Sequence, residues 1–238
     1  MKKFLKSIPF LYKSILLVKH SAWSKTTKKY LNKYLPDNDQ PKLQLGAGAN
    51  NIPGWFNTDY FPRHNIFFLD VTKPFPIPSN SFKLVFSEHH IEHISYKHAA
   101  GMLKEIFRIM QPGGYIKIST PDLQQYLANY FDDKHLKVEK EQFVKDWIYG
   151  GFYNAVNYIP VSNYYSAHFV NDIFLNYDHQ FIYDLKALAG LLDTAGFTNI
   201  INVSLKESEH TAFQGIETHT GAIEKYFTLS IEAQKPAL

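Results

Sequence analysis

The sequence predicts an α/β domain of three layers, a mostly parallel sheet with helices on both faces, and three observations carry that expectation. Short apolar runs of strand length alternate with segments of helical spacing from Lys42 onward. The first run, Lys42–Leu45, leads straight into Gly46-Ala47-Gly48, a turn that lets backbone approach a ligand closely. Polar residues then close successive runs at Asp59, Asp70 and Ser87-Glu88, the edge where open α/β sheets bind ligands.

Residues 1–36 read as a basic leader, with nine lysines and no acid, and residues 37–238 as the main domain. In the leader Phe4, Ile8, Leu11, Ile15 and Val18 share one helical face, while Lys2, Lys6 and Lys13 lie opposite. Two readings stand: an interfacial helix that brings residues 1–20 to an anionic membrane surface, or a helix packed on its own domain. Lys6 and Lys13 break the apolar stretch, so neither a signal peptide nor a bilayer span is expected. Pro36 to Pro41 reads as a linker.

The expected strands are Lys42–Leu45, Trp55–Thr58, Ile66–Leu69, Lys83–Phe86 and Tyr115–Ser119. Tyr96–Met110 is the clearest helix, with Ala99, Leu103, Ile106, Phe107 and Met110 in phase and Gln111-Pro112-Gly113-Gly114 as its stop. Residues 121–180 read as an insertion over one end of the sheet, with helices at Leu123–Phe131 and Glu139–Trp147. A helix over Tyr183–Ala195 ends at Gly196, and strands Asn199–Leu205 and Thr228–Gln234 enclose a long loop, 206–227.

Composition narrows the chemistry. The chain has no cysteine, which excludes disulfides, thiolate nucleophiles and cysteine-ligated metals and suits a cytoplasmic setting. Net charge is +3, yet the 202 residues after the leader hold 16 basic and 22 acidic groups. A nucleic-acid partner is not expected for so acidic a body.

The glycine loop suits a nucleoside better than a phosphate. Position 51 is Asn where a dinucleotide fold needs its third glycine, and no Lys-Ser or Lys-Thr follows. The span from Gly48 to Trp55 is too short for a crossover helix, so a pyrophosphate would lack its helix N-terminus. Asp59, thirteen residues beyond Gly46, can accept both hydroxyls of a ribose. Asp70 and Val71 can present a carboxylate and an amide to a base, or Asp70 can simply cap a turn.

In order along the chain stand Pro53-Gly54-Trp55-Phe56-Asn57-Thr58-Asp59, Leu69-Asp70-Val71, Ser87 through His93, Glu105 through Gly114, and Ala195-Gly196-Phe197. With the glycine loop, this set resembles the class I S-adenosylmethionine-dependent methyltransferases, above all a branch with a Pro-Gly-Trp-x-Asn-x-Asp run. The resemblance covers residues 42–120 and 178–235. It implies a Rossmann-like sheet with an antiparallel last strand and S-adenosylmethionine as cofactor. Gly46, Ala47 and Gly48 would then lie on the methionyl part, Asp59 on the ribose with Tyr60 next to it in the cofactor site, Asp70 and Val71 at the adenine, and Ser87 and Glu88 at the cofactor's border. The chain departs from the pattern at Gln44, where an acid is common, in its short first crossover, and at Lys83 in place of Asp.

A sulfonium methyl is already activated, so the protein has mainly to align an acceptor and remove its proton. His89, His93 and His179 are the candidate bases, each with a hydrogen-bonded structural role as the plain alternative. The expected acceptor is a sugar, glycan or related small molecule, since the branch is often tied to surface polysaccharides; no metal is expected. Three rivals remain: a cofactor-binding domain without activity, a zinc hydrolase using His89-x-x-Glu92-His93, and a nicotinamide dehydrogenase, which the missing third glycine disfavours.

Overall fold

A computed structural model describes residues 9–131, 166–175, 177–219 and 227–237. The expected helix Glu139–Trp147 lies outside the described residues. Helix α1 (Pro9–Tyr34) precedes β1 (Lys42–Leu45), β2 (Phe56–Asp59), β3 (Ile66–Phe68) and β4 (Phe82–Glu88). A 3-10 turn at Ile91–His93 leads to α2 (Tyr96–Ile109) and β5 (Met110–Pro121). Then come α3 (Leu123–Phe131), α4 (Ser166–Leu175), α5 (Leu185–Ala195), β6 (Thr198–Val203) and β7 (Thr228–Gln234).

The seven strands lie in the order β3-β2-β1-β4-β5-β7-β6. All pairs from β3 to β5 are parallel, and β7 runs antiparallel to both β5 and β6. The order reverses between β1 and β4, so a crevice opens above their carboxyl ends. Leu43, Leu45, Phe82, Val85 and Phe86 have essentially no exposed surface, as parallel strands covered on both faces require. Helix α2 contributes Ala99, Met102, Leu103, Ile106 and Ile109, one stripe at 3.6-residue spacing.

The end of α2 differs from the sequence expectation. Gln111-Pro112-Gly113-Gly114 does not separate helix from strand but lies within β5, because Phe82 pairs with Met110 before Leu84 pairs with Tyr115. That register shift makes a bulge, where Gly113 takes φ +67° and a side chain at 114 would overlap the Lys83 carbonyl. Lys83, which stands in place of Asp, donates from its Nζ to the Gly113 carbonyl at 2.9 Å.

From His20 onward the leader helix packs on the sheet edge. His20, Trp23, Thr27, Leu31 and Tyr34 recur every three or four residues; Leu31 and Thr27 are buried. The His20 ring stacks on Phe68 at 4.6 Å, and Thr27 Oγ1 donates to the Phe68 carbonyl at 3.0 Å. Tyr34 OH receives the Lys42 amide at 3.0 Å and also lies 3.0 Å from the Gly54 carbonyl, pinning the helix end to β1 and the next turn. No helix among the described residues is long and apolar enough to cross a membrane.

Helix α5 begins at Leu185, two residues later than its apolar pattern suggests, because Asp184 caps it: Oδ1 accepts the Ala187 amide at 2.7 Å. Asp184→Ala should cost about 1 kcal/mol. For a chain of this size that lowers Tm by about 2–4 °C, to be read by calorimetry.

Candidate active site

The loop after β1 is held from below and from the side. Gly46 and Gly48 take φ +64° and +56°, left-handed backbone that glycine adopts at little cost. A Cβ at Gly46 would overlap the His90 ring, whereas one at Gly48 would meet nothing within 4 Å. Ala47 N–H donates to the Thr58 carbonyl at 3.0 Å, and Gly48 N–H to Asp59 Oδ2 at 2.9 Å. Asp59 Oδ1 takes the Phe61 amide at 2.8 Å, so this carboxylate orients both banks of the crevice.

Asn57 explains how so short a link replaces a crossover helix. Its Nδ2 donates to Asn51 Oδ1 and the Ile52 and Trp55 carbonyls, and its Oδ1 accepts the Ile52 amide at 3.1 Å. One buried side chain thus satisfies the Ile52 amide and the Ile52 and Trp55 carbonyls of the turn.

Two adjoining cavities open over this edge. The larger, about 1050 Å3, is bounded by Gly48, Asp59, Tyr60, Asp70 and Val71. The smaller, about 710 Å3, reaches Ala47, Glu88, His179, Tyr126 and Phe227. Gly46, Gly48, His89, His93, Tyr177 and Asp178 line both. Of the residues expected from sequence, only Ser87 lines neither: it is buried behind the wall, its Oγ 3.4 Å from His90 Nδ1. Asp70 lines the larger cavity, and its Oδ1 accepts the Thr72 amide and hydroxyl, which is the turn-capping role.

Glu88 reaches the smaller cavity but is spent on holding a loop. Oε1 accepts the Thr218 and His219 amides at 2.8 and 2.9 Å, and Oε2 the Thr218 hydroxyl at 2.9 Å. Burial works against its charge, but the His219 side chain and amide and the Thr218 hydroxyl outweigh burial and lower its pKa. A carboxyl whose folded pKa lies below its unfolded one stabilises above the unfolded value, here 4.5, and loses that contribution as pH falls through the folded value. Hydrogen exchange at Thr218 and His219 should therefore be slow near pH 7 and speed up below pH 4.5 relative to intrinsic rates.

The histidine run follows β4 without forming an α-helix. His89 has φ +43°, an uncommon conformation held by the hydrogen bond its N–H donates to the Ser119 carbonyl at 2.8 Å, and it lines both cavities. Its Nδ1 stands 3.3 Å from Glu92 Oε1 and its Nε2 3.3 Å from Thr228 Oγ1. Glu92 is fully buried, and Thr120 Oγ1 donates to its Oε2 at 2.9 Å. Burial opposes ionisation of Glu92, but the His89 side chain and the charges of His89 and His93 override it and hold the pKa at about 2. His179 arrives from the loop after α4 with its ring 4.8 Å from that of His93. Burial lowers the pKa of His179, while its Nδ1 lies 2.6 Å from the Ile173 carbonyl.

Residues 31–201 match the profile of a methyltransferase domain. The chain belongs to that family. The match runs from the end of α1 through β1 to β5 and into β6, and β7 of this methyltransferase lies beyond it.

A comparison with curated proteins finds no match. Among solved structures, a Thermotoga maritima S-adenosylmethionine-dependent methyltransferase, a possible histamine N-methyltransferase, is 15% identical. It aligns over 99% of this chain and 100% of its own, with a TM-score of 0.48. Haemonchus contortus phosphoethanolamine N-methyltransferase 2, in complex with S-adenosyl-L-methionine, is 14% identical over 83% of this chain and 49% of its own, with a TM-score of 0.45. A Methanosarcina mazei S-adenosylmethionine-dependent methyltransferase is 17% identical over 88% and 98%, also with a TM-score of 0.45.

The cofactor of such an enzyme is S-adenosylmethionine, and the residues fit it. Gln44 Oε1 and Asn50 Nδ2 are buried without hydrogen-bond partners, and both residues line the smaller cavity beside the glycines. An orphaned acceptor and an orphaned donor match the ammonium and carboxylate of a methionyl group. Gln44 therefore supplies an acceptor where the sequence pattern leads one to expect an acid. Asn50 was not marked by any motif.

Proposed function

We propose that this methyltransferase O-methylates a sugar, glycan or related small-molecule hydroxyl. The observation that carries the reading is the pair of joined cavities, one with the ribose-type aspartate and one lined by histidines and aromatics, meeting at Gly46 and Gly48. S-adenosylmethionine, when bound, supplies an activated methyl group. Asp59 would take its ribose hydroxyls, Tyr60, Asp70 and Val71 its adenine end, and Gln44 and Asn50 its amino-acid end.

Tyr126, Tyr177 and Phe227 offer the smaller cavity flat apolar surfaces against which a sugar ring can lie. An acceptor oxygen aligned with the S–CH3 bond would take that methyl carbon, and sulfur would keep the electron pair. The hydroxyl proton passes to an imidazole, for which His89, His93 and His179 stand at hand. We further propose a cytoplasmic enzyme lying against the inner face of a membrane. The contact would run through residues 1–20 and be extended by Lys25, Lys28, Lys29 and Lys33, which like Lys19 are exposed on α1.

The test has two parts. Calorimetry with S-adenosylhomocysteine should show micromolar binding of one molecule per chain, about −8 kcal/mol. Transfer of labelled methyl from S-adenosylmethionine to a panel of hydroxyl, amine and carboxylate acceptors should then favour the sugar hydroxyls. Labelling of amines alone would reject the acceptor class and leave the cofactor assignment standing.

A further inference from the structure

Glu92 is a fully buried carboxylate with no lysine or arginine paired to it among the described residues. Thr120 satisfies Oε2, but Oε1 has no hydrogen bond of good geometry, only the His89 ring at 3.3 Å. A buried carboxylate in that state calls for a compensating cation. His93 follows it directly, and His179 is brought alongside by the chain after α4. The two segments are clamped together: the Gln180 and Phe181 amides donate to the Glu92 carbonyl at 2.7 and 3.2 Å, and Gln180 Nε2 to the His93 carbonyl at 2.9 Å.

We propose that Glu92, His93 and His179 form a divalent-cation site in the wall of the smaller cavity, contrary to the metal-free expectation from sequence. One donor atom from each lies within 4.8 Å of the others. A cation about 2.1 Å from each donor in tetrahedral geometry sets them about 3.4 Å apart, so binding would draw together side chains that now lie within 4.8 Å, the widest pair by up to about 1.4 Å. His179 Nδ1–H donating to the Ile173 carbonyl leaves the Nε2 lone pair for the ion, the arrangement that orients metal-bound imidazoles. Two imidazole nitrogens and one carboxylate oxygen suit a borderline ion such as Zn2+ or Mn2+.

This is not the zinc-hydrolase arrangement weighed from the sequence. Glu92 is here a ligand rather than a base, the third ligand is remote, and His89 sits at a strand end instead of on an α-helix. Three protein ligands leave a position open toward the cavity shared with Gly46 and Gly48. The inference rests on the proposed O-methylation, for the open position would then hold the acceptor oxygen. His93 and His179 become ligands, and His89 alone of the three has no ligand role.

The full chain, purified without a nickel column and stripped with EDTA, is titrated with Co2+ and then with competing Zn2+. Binding of S-adenosylhomocysteine is measured on the same samples. One Co2+ per chain with visible d–d bands is expected, displaced by Zn2+, and His64→Gln on the exposed surface should leave uptake unchanged. His93→Gln and His179→Gln, both at partly exposed positions, should each weaken uptake at least tenfold, about 1.4 kcal/mol. If either keeps its fold, that variant decides the matter. Absence of stoichiometric uptake, or equal uptake by wild type and a folded variant, overturns the site. Retained S-adenosylhomocysteine binding in that case leaves the methyltransferase reading intact, whereas loss of that binding in the wild type would reject the reading itself.

Discussion

Asp59→Ala should weaken S-adenosylhomocysteine binding at least a hundredfold, about 2.8 kcal/mol. The carboxylate has two duties that fail together. It holds the Gly48 and Phe61 amides at 2.9 and 2.8 Å, which set the shape of the larger cavity, and its remaining lone pairs face that cavity. A hydrogen bond to a charged group contributes about 1.5–3 kcal/mol, so losing the ribose contact and loosening the loop accounts for the figure. Asp59→Asn separates the duties. The amide oxygen can still accept one backbone amide, and the loss should fall between those of wild type and Ala. Calorimetry of the three proteins is the check, and equal affinities would remove Asp59 from the site.

Gly46→Ala should be strongly destabilising. A left-handed φ costs an alanine about 1–2 kcal/mol, and forcing a methyl group into the His90 ring adds about 1–3 kcal/mol of overpacking. Together these lower Tm by several degrees and displace the loop that carries Ala47 and Gly48. His90→Ala in the same chain relieves the overlap but not the backbone strain, so the double variant should recover only part of the loss. That recovery, read as a coupling between positions 46 and 90, distinguishes the His90 contact from a general intolerance of the loop. By contrast Gly48→Ala meets only open space and should pay the backbone cost alone.

Much of the framework was legible in the chain itself, for reasons local to each element. Lys42–Leu45, Leu123–Phe131 and Thr228–Gln234 begin and end where their apolar patterns do, and Gly46, Gly48 and Asp59 meet at one edge. The α1 stripe from His20 to Tyr34 is present in the spacing too, but His20, Thr27 and Tyr34 are polar or half-polar, so no apolar pattern marks it. The bulge at Gly113 was hidden, because Gln-Pro-Gly-Gly reads as a stop whether or not strand pairing has already resumed at Met110.

What the sequence determined by itself is the alternation of strands and helices, the glycine turn and the acid that answers it, because these depend on spacing within a few residues. What only the tertiary structure decided is which polar groups are left wanting. Gln44 and Asn50 gain meaning from being buried unpaired beside a cavity, and Glu92 from meeting His179, 87 positions away, through the Gln180 clamp. Burial and pairing are properties of three-dimensional neighbours. No periodicity along a chain records them.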